Sequence, residues 1–277
     1  MIGLISVVVG QAGPSPVLML ERAIGPEAPI LGGQVVEVKV GEHSASLFLP
    51  TDWKAKADND LWVHFHTAPW FVIQEYQRAD HLGPVAVFNL GQGSTTYAKP
   101  FAAIGSFEPW RLEFAKAMGG DIGGLHFTSF SAGYGAVRNL VADPLVLKRL
   151  RTVILADSLY ASLVPETTPR KVLAEHVDCW AGLRDRAIAG KTTWIITTSQ
   201  ITPDTYAGTW EVALALVRAS GGEMETIVKV GPEEQHLLRR FQRGHWFAWS
   251  YAGETAMAHM THARRLAELI QESRKPN

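Results

Sequence analysis

Residues 127–135 read Phe-Thr-Ser-Phe-Ser-Ala-Gly-Tyr-Gly. An apolar run, GLHFTSF (124–130), ends in Ser131; small residues follow, and AGYGAVRNLVA (132–142) then has helical spacing. A strand, a sharp turn and a helix in that order are the context of a nucleophile elbow, where the turn strains the serine and exposes its hydroxyl. Such a turn closes only if the residues two before and two after the serine are small. Here they are Ser129 and Gly133, with Gly135 beyond, so the usual G-x-S-x-G reads S-x-S-x-G. Serine for glycine is sterically mild. The plainer alternative makes Ser131 the N-cap of a helix packed on a sheet.

Working outward, β-rich runs alternate with helical stretches. VVEVKV (35–40) and SASLFLP (44–50) read as a hairpin turning at Gly41-Glu42-His43. LWVHFH (61–66), VAVFNL (85–90), TVILA (152–156) and TTWIIT (192–197) are near-continuous apolar runs, as expected of strands covered on both faces. ETIVKV (225–230) and HWFAWSY (245–251) complete the strands. Helices are expected over 109–119, near 170–189 and 208–220, and over 255–274. The alternation predicts an α/β fold, a mostly parallel central sheet flanked by helices. With no internal repeat or linker, one domain is expected over 34–277. Residues 1–33 read as a leader. Whether residues 1–12 are the remnant of a secretory signal decides between a cytoplasmic and a secreted or periplasmic location.

Composition narrows the function. Of 277 residues, 47% are hydrophobic and 19% charged, which argues against disorder. The formal net charge is −1 with no block of like charge, so nucleic acid is not an expected partner. A single cysteine, Cys179, excludes an internal disulfide and a cysteine-rich zinc site. No apolar run approaches the length of a transmembrane helix.

At the elbow the chain resembles the α/β-hydrolase superfamily, as topology over about residues 35–272. SFSAGYGAVR (129–138), LADSLYAS (155–162) and YAGETAMAH (251–259) resemble segments of a bacterial branch of it. The resemblance implies a serine hydrolase acting on a carboxylic ester through an acyl-enzyme, with a small-molecule ester as substrate and no cofactor. Its residue order is Ser, acid, His. Ser131 is then the nucleophile, Asp157 the acid at the end of TVILA, and His259 the base. Asp204, one strand later, and His245, at the start of HWFAWSY, are the alternatives, and His262 lies one turn beyond His259. The Ala132 N–H and a donor at Thr67 would form the oxyanion hole. His66, Trp70 and Gly91, in loops leaving the same sheet edge, would meet substrate, and residues 158–191 would form a short cap.

Three other readings compete. An amide or thioester hydrolase would use the same triad. A metal-dependent hydrolase would use the pairs His64/His66, on one face of a strand, and His259/His262, on one face of a helix. A non-catalytic binding protein could occupy the scaffold, with Trp70 or Trp249 as an aromatic platform.

Overall fold

The computed structural model describes residues 24–229 and 235–275; residues 1–12, and most of the expected leader, lie outside them. Ten strands form one sheet: β1 (Gly33–Val40), β2 (His43–Pro50), β3 (Asp58–Phe65), β4 (Val85–Phe88), β5 (Asp121–Phe130), β6 (Leu150–Ala156), β7 (Thr193–Thr198), β8 (Glu225–Lys229), β9 (Leu237–Arg243) and β10 (Trp246–Tyr251). Their spatial order is β1-β2-β4-β3-β5-β6-β7-β10-β9-β8. The run from β4 to β10 is parallel, and both ends are antiparallel.

The central strands alternate sides with period two, and both sides are apolar. Val63 and Phe65 of β3, Val153 and Leu155 of β6, and Trp194 and Ile196 of β7 enter one core. Trp62, Ile154 and Ile195, their neighbours in sequence, enter the other. Helices Glu108–Met118, Tyr134–Val141, Ala181–Ile188 and Thr209–Ala219 cover the first face. Helices Pro69–Arg78, Ala256–Arg264 and Leu266–Glu272 cover the second. Burial on both faces is why these strands read as unbroken hydrophobic runs.

The expected hairpin forms, with Val40 opposite His43 and Gly41 at φ +59°. Three features differ from expectation. Strand β9 (LLRRFQR) was not anticipated, because only Phe241 of it is buried and its arginines face solvent. Its place is set by pairing with β10 on one side and β8 on the other, a long-range cause. Helix Pro69–Arg78 was also passed over; it buries Phe71, Val72, Ile73 and Tyr76. The last helix is two, divided at Arg265 (φ −88°, ψ 0°), whose guanidinium sits 4.2 Å from the Tyr251 ring centroid.

Candidate functional site

Parallel strands leave their C-terminal ends along one edge of the sheet, and Ser131, Asp157 and the 66–68 loop all emerge there, from β5, β6 and β3. Ser131 stands at φ +48°, between extended Phe130 and a 3₁₀ turn over Ser131–Gly133 that runs into helix Tyr134–Val141. A non-glycine residue there carries backbone strain of about 1–3 kcal/mol, so its surroundings must hold it. They do so by close packing and by hydrogen bonds. A Cβ on Gly133 would lie 2.1 Å from the Phe65 carbonyl oxygen, and one on Gly135 2.2 Å from that of Ser94. Ser158 Oγ donates to the Ser131 carbonyl at 2.8 Å. That uses the Ser158 proton, so buried Ser129 Oγ donates to Ser158, also at 2.8 Å. The serine at the unusual first position of the motif thus joins the brace beneath the turn.

Asp157, at φ +44°, is wholly buried. Its Oδ1 accepts from Ser199 N–H at 2.8 Å and from the Thr209 hydroxyl, and its Oδ2 lies 2.6 Å from His259 Nδ1. Burial by itself raises the carboxyl pKa. The nearby His262 and His259 imidazoles and the hydrogen bonds from His259 and Thr209 outweigh it and hold Asp157 below the usual carboxylate range. A carboxylate only accepts, so His259 Nδ1 carries a proton and Nε2 is the free basic nitrogen. Phe130 packs against the His259 ring at a centroid distance of 4.6 Å.

The loop after β3 is also strained: His66 has φ +75° and Thr67 φ +110°. Buried His64 braces it. Its Nε2 donates to the His66 carbonyl at 2.5 Å, while Nδ1 meets the Thr128 hydroxyl at 2.7 Å. Burial lowers the His64 pKa to about 3, so this imidazole is neutral. His66 Nδ1 lies 2.9 Å from Tyr97 Oη, and burial lowers its pKa to about 4. Tyr97 Oη in turn accepts from Leu90 N–H and donates to the Gly91 carbonyl.

Ser131 and His259 line a common cavity of about 800 Å³, with Ala132, Tyr134, Tyr160 and Arg138 among its walls. The chain after β6 forms part of the wall through Tyr160, Ala161 and Ser162, pinned by bridges Ala161–Ala207 and Leu163–Val172.

Other expected residues are placed elsewhere. His245 precedes β10 beside the start of β7, where its carbonyl accepts from Trp194 N–H at 2.8 Å and its own N–H donates to Ala187. That is the opposite edge of the sheet, about 20 Å from the strand ends that carry Ser131 and Asp157. Asp204 is exposed in its loop, and the carboxylate that meets His259 is Asp157. Trp70 packs edge-on to Phe71, and neither it nor Gly91 lines the cavity. Trp249 lines a groove on the β9–β10 side of the sheet. The two histidine pairs do not combine: His64 is engaged as above, and His262 Nδ1 lies 2.8 Å from the Thr197 hydroxyl. Among the described residues no group of three or more His, Cys, Asp or Glu is placed to hold a metal ion. Ser158, Ser199, Thr209, Tyr160 and Arg138 were not singled out in sequence; hydroxyl residues are common, and nothing local marks those that fold against a carboxylate.

No protein-family model matches the sequence, and no curated protein is similar to it. Solved structures are similar in shape. The thermostable carboxylesterase EstE1, cloned from a metagenomic library, superposes with a TM-score of 0.52 at 13% identity, over 93% of this chain and 94% of that one. An S-formylglutathione hydrolase from Agrobacterium tumefaciens superposes with a TM-score of 0.51 at 11% identity, over 90% and 97%. At these identities the likeness is one of fold, and that fold is the α/β-hydrolase fold.

Proposed function

We propose that the protein is a serine hydrolase that cleaves carboxylic esters. The observation that carries this reading is a serine held at positive φ in a strand–turn–helix junction, sharing a cavity with a histidine bonded to a buried carboxylate. In the proposed reaction, His259 Nε2 takes the Ser131 proton as Oγ attacks the ester carbonyl carbon. The tetrahedral intermediate collapses, and His259 returns the proton to the departing alkoxide. Water, deprotonated by the same nitrogen, then attacks the acyl carbon; the bond to Ser131 Oγ breaks, the acid leaves, and His259 returns the proton to Oγ. Asp157 fixes the imidazole tautomer and faces the imidazolium that forms. The Ala132 N–H and the Thr67 N–H, which meets no backbone acceptor among the described residues, would donate to the oxyanion. The two superposed proteins, a carboxylesterase and an S-formylglutathione hydrolase, carry names that agree with acyl transfer to water.

The test is hydrolysis of short 4-nitrophenyl esters by the wild type and by Ser131→Ala. Turnover by the wild type should fall at least about 10⁴-fold in the variant. A fluorophosphonate probe should label the wild type at Ser131 alone. Persistent turnover in the variant, or labelling at another residue, rejects the assignment.

A further inference from the structure

The cavity beside Ser131 holds a cation that the ester chemistry does not use. Arg138 lies on helix Tyr134–Val141, seven residues beyond Ser131, and lines the same cavity. A 3₁₀ turn and the first helical turn separate the two residues, which at helical rise puts their backbones about 10 Å apart, and both line the cavity. The guanidinium carbon stands 5.6 Å from the centroid of the Tyr134 ring, itself a cavity wall. Among the described residues it meets no carboxylate and no hydrogen-bond acceptor. Partners differ among the other partly buried arginines: Arg111 bonds Glu108 and Asp121, Arg170 bonds Glu211, and Arg186 bonds the Thr192 hydroxyl and the Leu150 carbonyl. A guanidinium in the cavity wall that no protein carboxylate occupies keeps its planar fork of donors open to an anion entering the cavity.

The other charges around the cavity give that anion a direction. His176, also in the wall, accepts from Ser162 N–H at Nδ1, and burial followed by the nearby Arg138 charge lowers its pKa, so it adds no positive charge at neutral pH. Glu254 lines the cavity on the segment leading to His259 and would repel an anion from that side. The remaining walls near Arg138 are aromatic or small, including Tyr134, Tyr160 and Ala161.

We propose that the substrate is an anionic ester, with a carboxylate several bonds from the scissile carbonyl that pairs with Arg138. This rests on the serine hydrolase reading and names its substrate class. The spacing favours a hemiester of a medium-length dicarboxylic acid, its free carboxylate at Arg138 and its ester carbonyl at Ser131.

The test compares two 4-nitrophenyl esters of matched length that differ in charge, the hydrogen adipate and the methyl adipate. The readout is the ratio of their kcat/KM values. The wild type should prefer the anion, and Arg138→Leu should lower that ratio roughly tenfold to a hundredfold. Arg138→Lys, which keeps the charge without the fork, should fall between them, and the preference in the wild type should weaken as salt is raised. Equal turnover of both esters by the wild type overturns the proposal, as does a preference that survives Arg138→Leu. Loss of turnover of both esters in Arg138→Leu alone is a folding failure, and the ratio in Arg138→Lys then decides. A wild type that hydrolyses short 4-nitrophenyl esters but neither adipate overturns this proposal and leaves the serine hydrolase reading standing; one that hydrolyses none of them and takes no fluorophosphonate label at Ser131 overturns both.

Discussion

Asp157 is the residue on which the site's electrostatics turn. A buried carboxylate beside neutral surroundings would be protonated and useless as an acceptor for an imidazole N–H. Here the Ser199 N–H and the Thr209 hydroxyl hold one oxygen and His259 the other, so the ionised form is the stable one. In the proposed mechanism Thr209 would act on the chemistry through Asp157. Thr209→Val removes one donor and should lower kcat about tenfold with KM little changed. Thr209→Ser, which keeps the donor, should restore most of the rate. A KM effect alone, or no rescue by serine, would show that Thr209 merely packs. His262, one turn beyond His259, is also buried beside Asp157. Its partner is Thr197, and burial lowers its pKa to about 4.

At the scale of elements, two strained turns face each other at the strand ends. The β5 turn packs so closely on the β3 strand that Gly133 has no room for a side chain beside Phe65. The β3 loop is held by His64 from below, and the β5 turn by Ser158 and Ser129. Removing the middle of that second brace leaves the buried Ser129 hydroxyl and the Ser131 carbonyl without their partner. Ser158→Ala should therefore cost about 1–3 kcal/mol of stability, read from urea unfolding. A loss within error of zero would mean that serine in the first motif position is merely tolerated. The brace was not legible in the sequence, because Ser129 in β5 and Ser158 in the loop after β6 lie 29 residues apart.

Over the whole molecule, stability depends on pH through buried titratable groups of opposite sign. Burial lowers the pKa of His64 to about 3 and those of His66, His81 and His262 to about 4. Each of these binds its proton less readily when folded, so stability is lost as pH falls from 6.5 through those values. Glu75 runs the other way. Burial raises its pKa to about 7 despite Arg78, so stability is lost as pH rises from 4.5 and the loss is complete above about 7. Four histidines outweigh one glutamate, and the unfolding midpoint should fall between pH 6.5 and 4. Glu75→Gln should stabilise the protein relative to wild type at pH 8 more than at pH 4, measured by urea titration at both. An equal change at the two pH values would show that Glu75 ionises normally in the fold.

The sequence alone determined the local grammar: the hairpin, the buried central strands and the strand–turn–helix at Ser131. Each is written in consecutive residues, as period-two or unbroken hydrophobicity, or as small residues around a turn. It also carried Asp157 and His259 as a pair, through their order along the chain, but left Asp204 and His245 beside them. Only the tertiary structure shows which of these meet: His259 is bonded to Asp157. The sheet runs parallel through β5, β6, β7 and β10, which carries Asp157 to the edge where Ser131 emerges and His245 to the opposite one. The same folding set Thr209 and Ser199 against Asp157 and Arg138 in the cavity wall, and placed the polar strand β9 between β8 and β10. Hydrogen-bond partners and an unpaired cation are relations between residues far apart in the chain, and no local pattern records them.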